Sequence, residues 1–248
     1  MKIPVMRGLI DRRILVNFQV TLEALAALLP QPFRPKPIRG RGMAGICLIR
    51  LKHIRPRHFP AAIGISSENA AHRIAVEWDD HGERREGVYI PRRDTSSRLN
   101  TLVGGRLFPG EHHHARFQVD EGAGHYRVAF DSDDGKAHAA VEGHIASELP
   151  ASSVFRSLQG ASDFFSAGAL GYSVTSRSHW LDGLELRTFH WHVEPLAVER
   201  VESSFFADQV RFPPGTVRFD CALLMREIEH EWHGRESLHI EKCPQQAC

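Results

Sequence analysis

The chain has 248 residues, of which 42% are hydrophobic and 25% charged, and its formal net charge is +1. A near-neutral chain without a long Lys/Arg block lacks the electrostatic footprint of a nucleic-acid-binding protein. No apolar run reaches the ~18–20 residues of a membrane span, so we predict neither a nucleic-acid nor a membrane partner.

The length and the cysteines predict the organisation of the chain. About 250 residues can bury enough surface to fold as one domain without a disulfide or a metal. Cys47 and Cys221 fall in apolar runs, where reduced, buried thiols are the default, and the N-terminus is too charged for a secretory signal. We predict a cytoplasmic protein with a single domain over residues 1–242 and a flexible tail over residues 243–248.

Alternation of apolar and polar residues predicts β-strands along most of the chain. Turns rich in Gly and Asp, at residues 120–124 and 131–135, are typical of hairpins between such strands. In chain order, the predicted strands cover residues 14–20, 47–54, 73–78, 87–90, 115–119, 126–130, 137–145, 172–177, 184–192, 197–206 and 217–225.

Three predicted helices interrupt the strands. Each begins after a residue whose side chain can accept a hydrogen bond from the first helical turn. They are residues 22–29 capped by Thr21, a helix through Leu99, Leu102 and Val103 capped by Asp94 or Thr95, and a stretch from Ser152 or Ser153 towards Gly168. Many strands with few helices predict a mainly β (α+β) fold, and a barrel better than a doubly wound sheet.

Several short motifs occur in a fixed order between residues 15 and 206. They are Arg55-Pro56-Arg57-His58-Phe59-Pro60, Glu68-Asn69 with His72-Arg73, Gly87-Val88-Tyr89 leading to Asp94, Arg106-Leu107-Phe108-Pro109 leading to Ala115-Arg116, and Phe164-Phe165 with Gly171-Tyr172-Ser173. In this order the chain resembles an uncharacterised bacterial family, the YqjF-like members of the acetoacetate-decarboxylase-like superfamily. The resemblance implies a cone-shaped antiparallel β-barrel with an internal pocket, a few peripheral helices and assembly as a dimer or larger homo-oligomer.

The resemblance also predicts which chemistry is missing. Decarboxylases of that superfamily form a Schiff base between the keto substrate and a lysine that follows a Phe-Pro pair. Here Phe108-Pro109 is followed by Gly110-Glu111, and neither residue can form an imine. Lys52, the one lysine in a strand pattern, is interpreted as a solvated side chain. We therefore predict no Schiff base and assign no cofactor.

Arginine side chains are the predicted ligand-binding groups. Two guanidinium groups can clamp a carboxylate through bidentate hydrogen bonds. Alternation places Arg73 on the strand face opposite His72, where it could meet Arg92 or Arg116; structural ion pairs at the barrel mouth are the alternative interpretation. The predicted substrate-binding residues are Glu68, Arg73, Tyr89, Arg92 and Arg116.

The leading functional hypothesis is a barrel that binds a small organic ligand, a carboxylate or keto acid. An enzymatic alternative is a lyase, hydratase or isomerase with Glu111 or His112 as the general base. A metal-dependent enzyme is another, because His190 and His192 would share one face of a strand. A sensor or carrier, or an oligomerisation module whose barrel is filled by side chains, stays open as a non-catalytic alternative.

Overall fold

A computed structural model describes residues 4–102 and 110–240. These residues form thirteen strands and four short α-helices, which confirms the predicted mainly β fold. The strands are β1 (Met6–Val20), β2 (Arg34–Pro35), β3 (Pro37–Ile38), β4 (Arg41–Pro56), β5 (Ile65–Asp80), β6 (Glu83–Thr95), β7 (His113–Gly122), β8 (His125–Ser132), β9 (His138–Ile145), β10 (Leu170–Val174), β11 (Trp180–Thr188), β12 (Glu194–Ser203) and β13 (Val217–His239). The helices are α1 (Leu22–Ala26), α2 (Arg98–Leu102), α3 (Leu158–Ala167) and α4 (Ser204–Ala207).

The strands close into two rings that share a wall. In the wall, β13, β1, β4, β5 and β6 pair in that order, all antiparallel. The smaller ring closes from β6 through β10 and β11 to the C-terminal half of β13. The larger ring closes from β6 through β7, β8, β9 and β12 to the N-terminal half of β13. The sheet is mainly antiparallel as predicted, but β6 pairs in parallel with both β10 and β7.

The wall carries an apolar core on each face. Along β1, Ile14 and Val16 pack into one core, and Leu15 between them packs into the other. The two cores are separate because successive side chains of a strand point to opposite faces. We call the core that contains Phe130 and Phe206 the aromatic core, and the core that contains Phe165 of α3 the helix-side core.

Two of the predicted helices begin at or near their expected caps. Thr21 caps α1 as predicted, because its Oγ1 accepts a hydrogen bond from the Ala24 amide at 3.4 Å. Helix α3 begins later than predicted: Ser157 is its N-cap, and its Oγ accepts from the Gly160 amide at 3.1 Å. Both helices are short, so their stability depends on packing against the sheet.

The predicted cap of α2 was wrong. Strand β6 runs through Asp94 to Thr95, and the Oγ of Ser97 accepts the hydrogen bond from the Asn100 amide at 3.2 Å. Asp94 is fully buried and pairs with Arg92 instead, so its carboxylate has a structural partner within the sheet. Val103, the Phe-Pro motif over residues 106–109 and the predicted tail over residues 243–248 lie outside the described residues. None of the described helices is both long and apolar enough to cross a bilayer.

An arginine-lined cavity as the candidate functional site

The smaller ring of strands encloses a cavity of about 130 Å³. Each of its seven strands contributes to the lining, from Arg13 on β1 to Trp232 on β13, and Phe165 of α3 covers one side. Most of the lining is apolar, including Leu51 and Ile90. Because an engineered cavity of ~150 Å³ holds benzene, this space suits a ligand of about six to eight non-hydrogen atoms.

Three guanidinium groups interrupt the apolar lining, from Arg13 of β1, Arg73 of β5 and Arg93 of β6. The Nε of Arg13 lies 3.2 Å from the Sγ of Cys47, and the Nε of Arg93 donates to the Oγ of Ser173 at 2.9 Å. Within residues 4–102 and 110–240, none of the three arginines forms an ion pair with a carboxylate, in a chain where most other arginines do.

Arg73 is held in place from two sides. It donates a hydrogen bond to the Oδ1 of the fully buried Asn17, and its guanidinium carbon lies 4.8 Å from the centroid of the Phe165 ring. Its Nε has no hydrogen-bond partner among the described residues. A buried donor without a partner is costly, so this N–H is available to donate a hydrogen bond to a ligand oxygen.

Positively charged groups outnumber the carboxylates of the lining: Asp94 also lines the cavity, but its carboxylate is paired with Arg92. Burial lowers the pKa of Arg73 to about 10, and the neighbouring charge of Arg13 contributes to that shift. Burial likewise lowers the pKa of Arg93 to about 10. Both groups remain protonated at neutral pH, since these values are well above 7. Buried positive charge without a carboxylate partner favours an anionic ligand, and planar guanidinium groups favour a carboxylate in particular.

His112 also lines the cavity, whereas Glu111 does not. The Glu111 side chain is exposed to solvent, and its backbone amide donates to the Val174 carbonyl at 2.9 Å. Burial and the nearby Arg93 lower the pKa of His112 to about 3, so its imidazole is neutral. Its Nδ1 lies 3.2 Å from the Gly110 carbonyl oxygen, which can only accept, so Nδ1 carries the proton and Nε2 keeps a lone pair.

The structure places Arg73 at the cavity and His72 in the aromatic core, on the opposite strand faces that alternation predicted. His72 is fully buried, and its ring lies 4.6 Å from the ring of Phe205 and 6.4 Å from that of Phe130. Burial is the main cause that lowers the pKa of His72 to about 3. His72 is therefore a neutral member of the aromatic core and is not itself part of the cavity lining.

Arg92 does not line the cavity, and its neighbour Arg93 takes the predicted position. The Nη2 of Arg92 lies 2.8 Å from Asp94 and 2.9 Å from Asp134. The β5–β6 register explains the exchange: the four residues from Tyr89 to Arg92 lie opposite three on β5, so β6 carries one extra residue. Such a bulge reverses which residues face inward. Pro91 inside the strand was the signal for it, because a strand proline is typical of a bulge or an edge.

The other predicted binding residues also lie outside the cavity lining. Arg116 is 78% exposed on β7, which belongs only to the larger ring, and its Nε lies 3.6 Å from Asp133. Glu68 pairs with Arg12 and Arg50. Tyr89 is buried in the aromatic core. For Arg92, Arg116 and Glu68, the ion-pair interpretation describes the observed contacts.

No described lysine lines the cavity itself. The Nζ of Lys52 lies 2.7 Å from the Oδ1 of Asp11, which agrees with a solvated side chain. Lys36, which the strand pattern did not single out, lines a recess of about 30 Å³ that shares Arg13 and Arg73 with the cavity. Its Nζ pairs with Glu86 at 2.6 Å, so the ammonium group is engaged in an ion pair.

Gly110 explains why a lysine would not fit directly after the Phe-Pro pair. Its φ is +92°, a conformation that side chains rarely adopt. A Cβ added there would lie 2.7 Å from the Cβ of Ser173. Both observations favour glycine at this position.

The histidine pair suggested as metal ligands is not on a strand. Strand β11 ends at Thr188 and β12 begins at Glu194, so the predicted strand over residues 184–192 was too long. His190 and His192 are both exposed in the connecting segment. Neither belongs to a group of three metal-ligating side chains among the residues that the structure describes.

Solved structures with a similar fold include an acetoacetate decarboxylase, an acetoacetate-decarboxylase-like enzyme and an enzyme of enduracididine biosynthesis. The acetoacetate decarboxylase of Legionella pneumophila superposes with a TM-score of 0.62 at 9% identity, over 97% of this chain and 88% of that chain. An acetoacetate-decarboxylase-like enzyme from Sphingomonas wittichii RW1 has a TM-score of 0.58 at 12% identity, over 97% and 94%. The enduracididine biosynthesis enzyme MppR, complexed with pyruvate, has a TM-score of 0.59 at 10% identity, over 95% and 90%.

At these identities the likeness concerns the fold alone, and it confirms the predicted acetoacetate-decarboxylase-like architecture. A search of curated proteins finds no match to the sequence. A family model described as an uncharacterised conserved protein, DUF2071, matches residues 10–210, which is most of the chain. The chain therefore belongs to the DUF2071 family and has the fold of the acetoacetate decarboxylases.

Proposed function

We propose that this protein binds a small monocarboxylate of the 2-oxo acid class in the arginine-lined cavity, without forming a Schiff base. The observation that carries the proposal is the set of three guanidinium groups, Arg13, Arg73 and Arg93, that line an apolar cavity without a carboxylate partner among the described residues. A ligand carboxylate supplies the missing negative charge and accepts paired N–H donors. MppR, which shares the fold, was solved with pyruvate, a 2-oxo acid, and this supports the ligand class.

The apolar lining selects the rest of the ligand. Leu51, Ile90 and Trp191 present hydrocarbon surface to the cavity, so a short alkyl chain would replace water there. Larger acids exceed about 130 Å³ of space. A ligand such as 2-oxobutanoate satisfies both conditions, with its carboxylate at the arginines and its ethyl group on the apolar wall.

Calorimetry and thermal denaturation with 2-oxobutanoate and its uncharged analogue 2-oxobutanamide test the proposal. The acid should bind, and at 100 times its Kd it should stabilise the protein by about 2.7 kcal/mol. The amide should give no measurable stabilisation. Arg93→Met should abolish binding of the acid, whereas Arg116→Met, which removes an exposed arginine outside the lining, should leave it unchanged. Equal binding of acid and amide, or normal binding by Arg93→Met, would contradict the proposal.

The absence of a Schiff base is tested separately. Borohydride reduction in the presence of 2-oxobutanoate should leave the intact mass unchanged, because no described lysine lines the cavity. An adduct mapped to Lys36, in the adjoining recess, would overturn this part of the proposal while leaving carboxylate binding intact.

His112 supports a second candidate function, proton abstraction from the bound acid. Its Nε2 keeps an available lone pair at the cavity, since its Nδ1 is directed at the Gly110 carbonyl. A bound carboxylate would offset the charge of Arg93 and make His112 a stronger base. Wild-type protein should then exchange the C3 protons of 2-oxobutanoate with D₂O, as followed by NMR, and His112→Asn should not. Exchange at the uncatalysed rate would leave binding as the sole function of the site.

We also propose a reducing, cytoplasmic setting and a homodimer. Cys47 and Cys221 are free, buried thiols, which supports the reducing compartment. The dimer rests on the resemblance to the decarboxylase-like superfamily. Light scattering coupled to size-exclusion chromatography should give twice the 27.9 kDa mass of the chain, and a monomer would contradict it.

A further inference from the structure

One histidine and two glutamates lie close together on the outer side of the larger ring, away from the carboxylate cavity. We propose that His125 of β8, Glu142 of β9 and Glu199 of β12 form a zinc-binding site. One potential ligand atom from each of the three lies within 4.8 Å of the other two. The opposite faces of β8 and β9 pack into the aromatic core through Tyr126 and Val141, so the group faces solvent.

A β-bulge brings Glu199 into the group. On β12, Val198 pairs with Gly143 and Arg200 pairs with Glu142, which leaves Glu199 as the extra residue. Val198 packs against the aromatic core, whereas Glu199 and Arg200 are both exposed. Bulges re-aim side chains in this way. Without the extra residue, strict alternation would not place two successive side chains on the outer face.

The carboxylates of the group lack the usual basic partners. The Oε1 of Glu142 lies 3.4 Å from the Nε2 of His125, and the Oε1 of Glu199 lies 2.9 Å from the Nδ1 of His144. Within the described part of the chain, neither glutamate pairs with an arginine or a lysine. Nearby Glu202 does pair, with Arg200 at 2.8 Å. The two carboxylates form ion pairs only with histidines among the described residues, so a divalent cation bound between them could neutralise their negative charge.

The donor types favour zinc. Imidazole nitrogen and carboxylate oxygen bind Zn²⁺ at about 2.0–2.2 Å, and three protein ligands leave a fourth position for water. Imidazole disfavours Mg²⁺ and Ca²⁺, which prefer sites made of oxygen ligands alone. The three side chains are between 31% and 54% exposed, so small rotations can close the remaining distance to a common ion.

Zinc titration of the full chain tests the site. Protein treated with EDTA and desalted is titrated with ZnCl₂ by calorimetry, with Glu142→Gln and Glu199→Gln as variants and Glu202→Gln as the matched control from the same surface. Wild type and Glu202→Gln should each bind one zinc ion tightly, and the other two variants should bind at least tenfold more weakly. These substitutions are isosteric and lie on the surface, so circular dichroism should show unchanged folding.

Two outcomes would overturn the proposal. Wild-type protein that takes up no zinc would show that the group consists only of surface His–Glu pairs, which contribute little to stability. If Glu142→Gln and Glu199→Gln both bind zinc as tightly as the control Glu202→Gln, the zinc site lies in another part of the chain. Neither outcome would affect the carboxylate proposal, because the zinc site shares no residue with the cavity.

Discussion

His72 and Arg73 are neighbours on β5 and point to opposite faces of the shared wall, where their surroundings differ. On the aromatic face, His72 is neutral and packed among phenylalanine rings, and neither ring nitrogen has a hydrogen-bond partner among the described residues. On the helix-side face, Arg73 keeps its charge beside an open cavity. A buried imidazole can lose its proton, but a guanidinium group keeps its charge and needs an anion. This difference supports the proposal that the helix-side face binds an anionic ligand, while the aromatic face serves packing.

The largest expected difference in unfolding free energy is between two variants in which adjacent arginines are replaced with methionine. Arg92→Met leaves the fully buried carboxylate of Asp94 without its partner and should destabilise the protein by about 3–5 kcal/mol. Arg93→Met removes a buried charge that has no carboxylate partner among the described residues, and should stabilise the ligand-free protein by about 1–2 kcal/mol. Urea denaturation measures both. Equal destabilisation by the two variants would make Arg93 a structural group.

This contrast also shows what the sequence could predict and what it could not. Strand alternation correctly separated His72 from Arg73, because β5 is regular there. Alternation could not have chosen between Arg92 and Arg93, because the extra residue near Pro91 reverses the faces of β6, and the position of a bulge depends on pairing with β5. The fold followed from the order of the motifs. The convergence of Arg13 with the other arginines depends on ring closure, which no local pattern contains.

Alanine substitutions of two leucines on β4 test how tightly each face of the wall is packed. Leu48 is fully buried in the aromatic core, whereas Leu51 lines the cavity. Leu48→Ala should cost about 3–4 kcal/mol of unfolding free energy, since it opens a new void in a filled core. Leu51→Ala should cost about 1–2 kcal/mol, because the leucine already lacks contacts on its cavity side. Urea titrations at 25 °C decide between this result and equal losses, which would show that the helix-side core is as tightly packed as the aromatic core.

Acid should act on the aromatic face through His72. Its folded pKa, about 3, lies below the unfolded value of 6.5, so the unfolded chain binds more protons between these pH values. The contribution of His72 to stability is therefore complete above pH 6.5 and is lost as the pH falls towards 3, by about 1.4 kcal/mol for each unit within that window. His72→Phe should make the unfolding free energy correspondingly less dependent on pH between 6 and 4.5. His81, which is 99% exposed, provides the control His81→Phe, and an unchanged slope in the His72 variant would show that this imidazole is not kept neutral by the core.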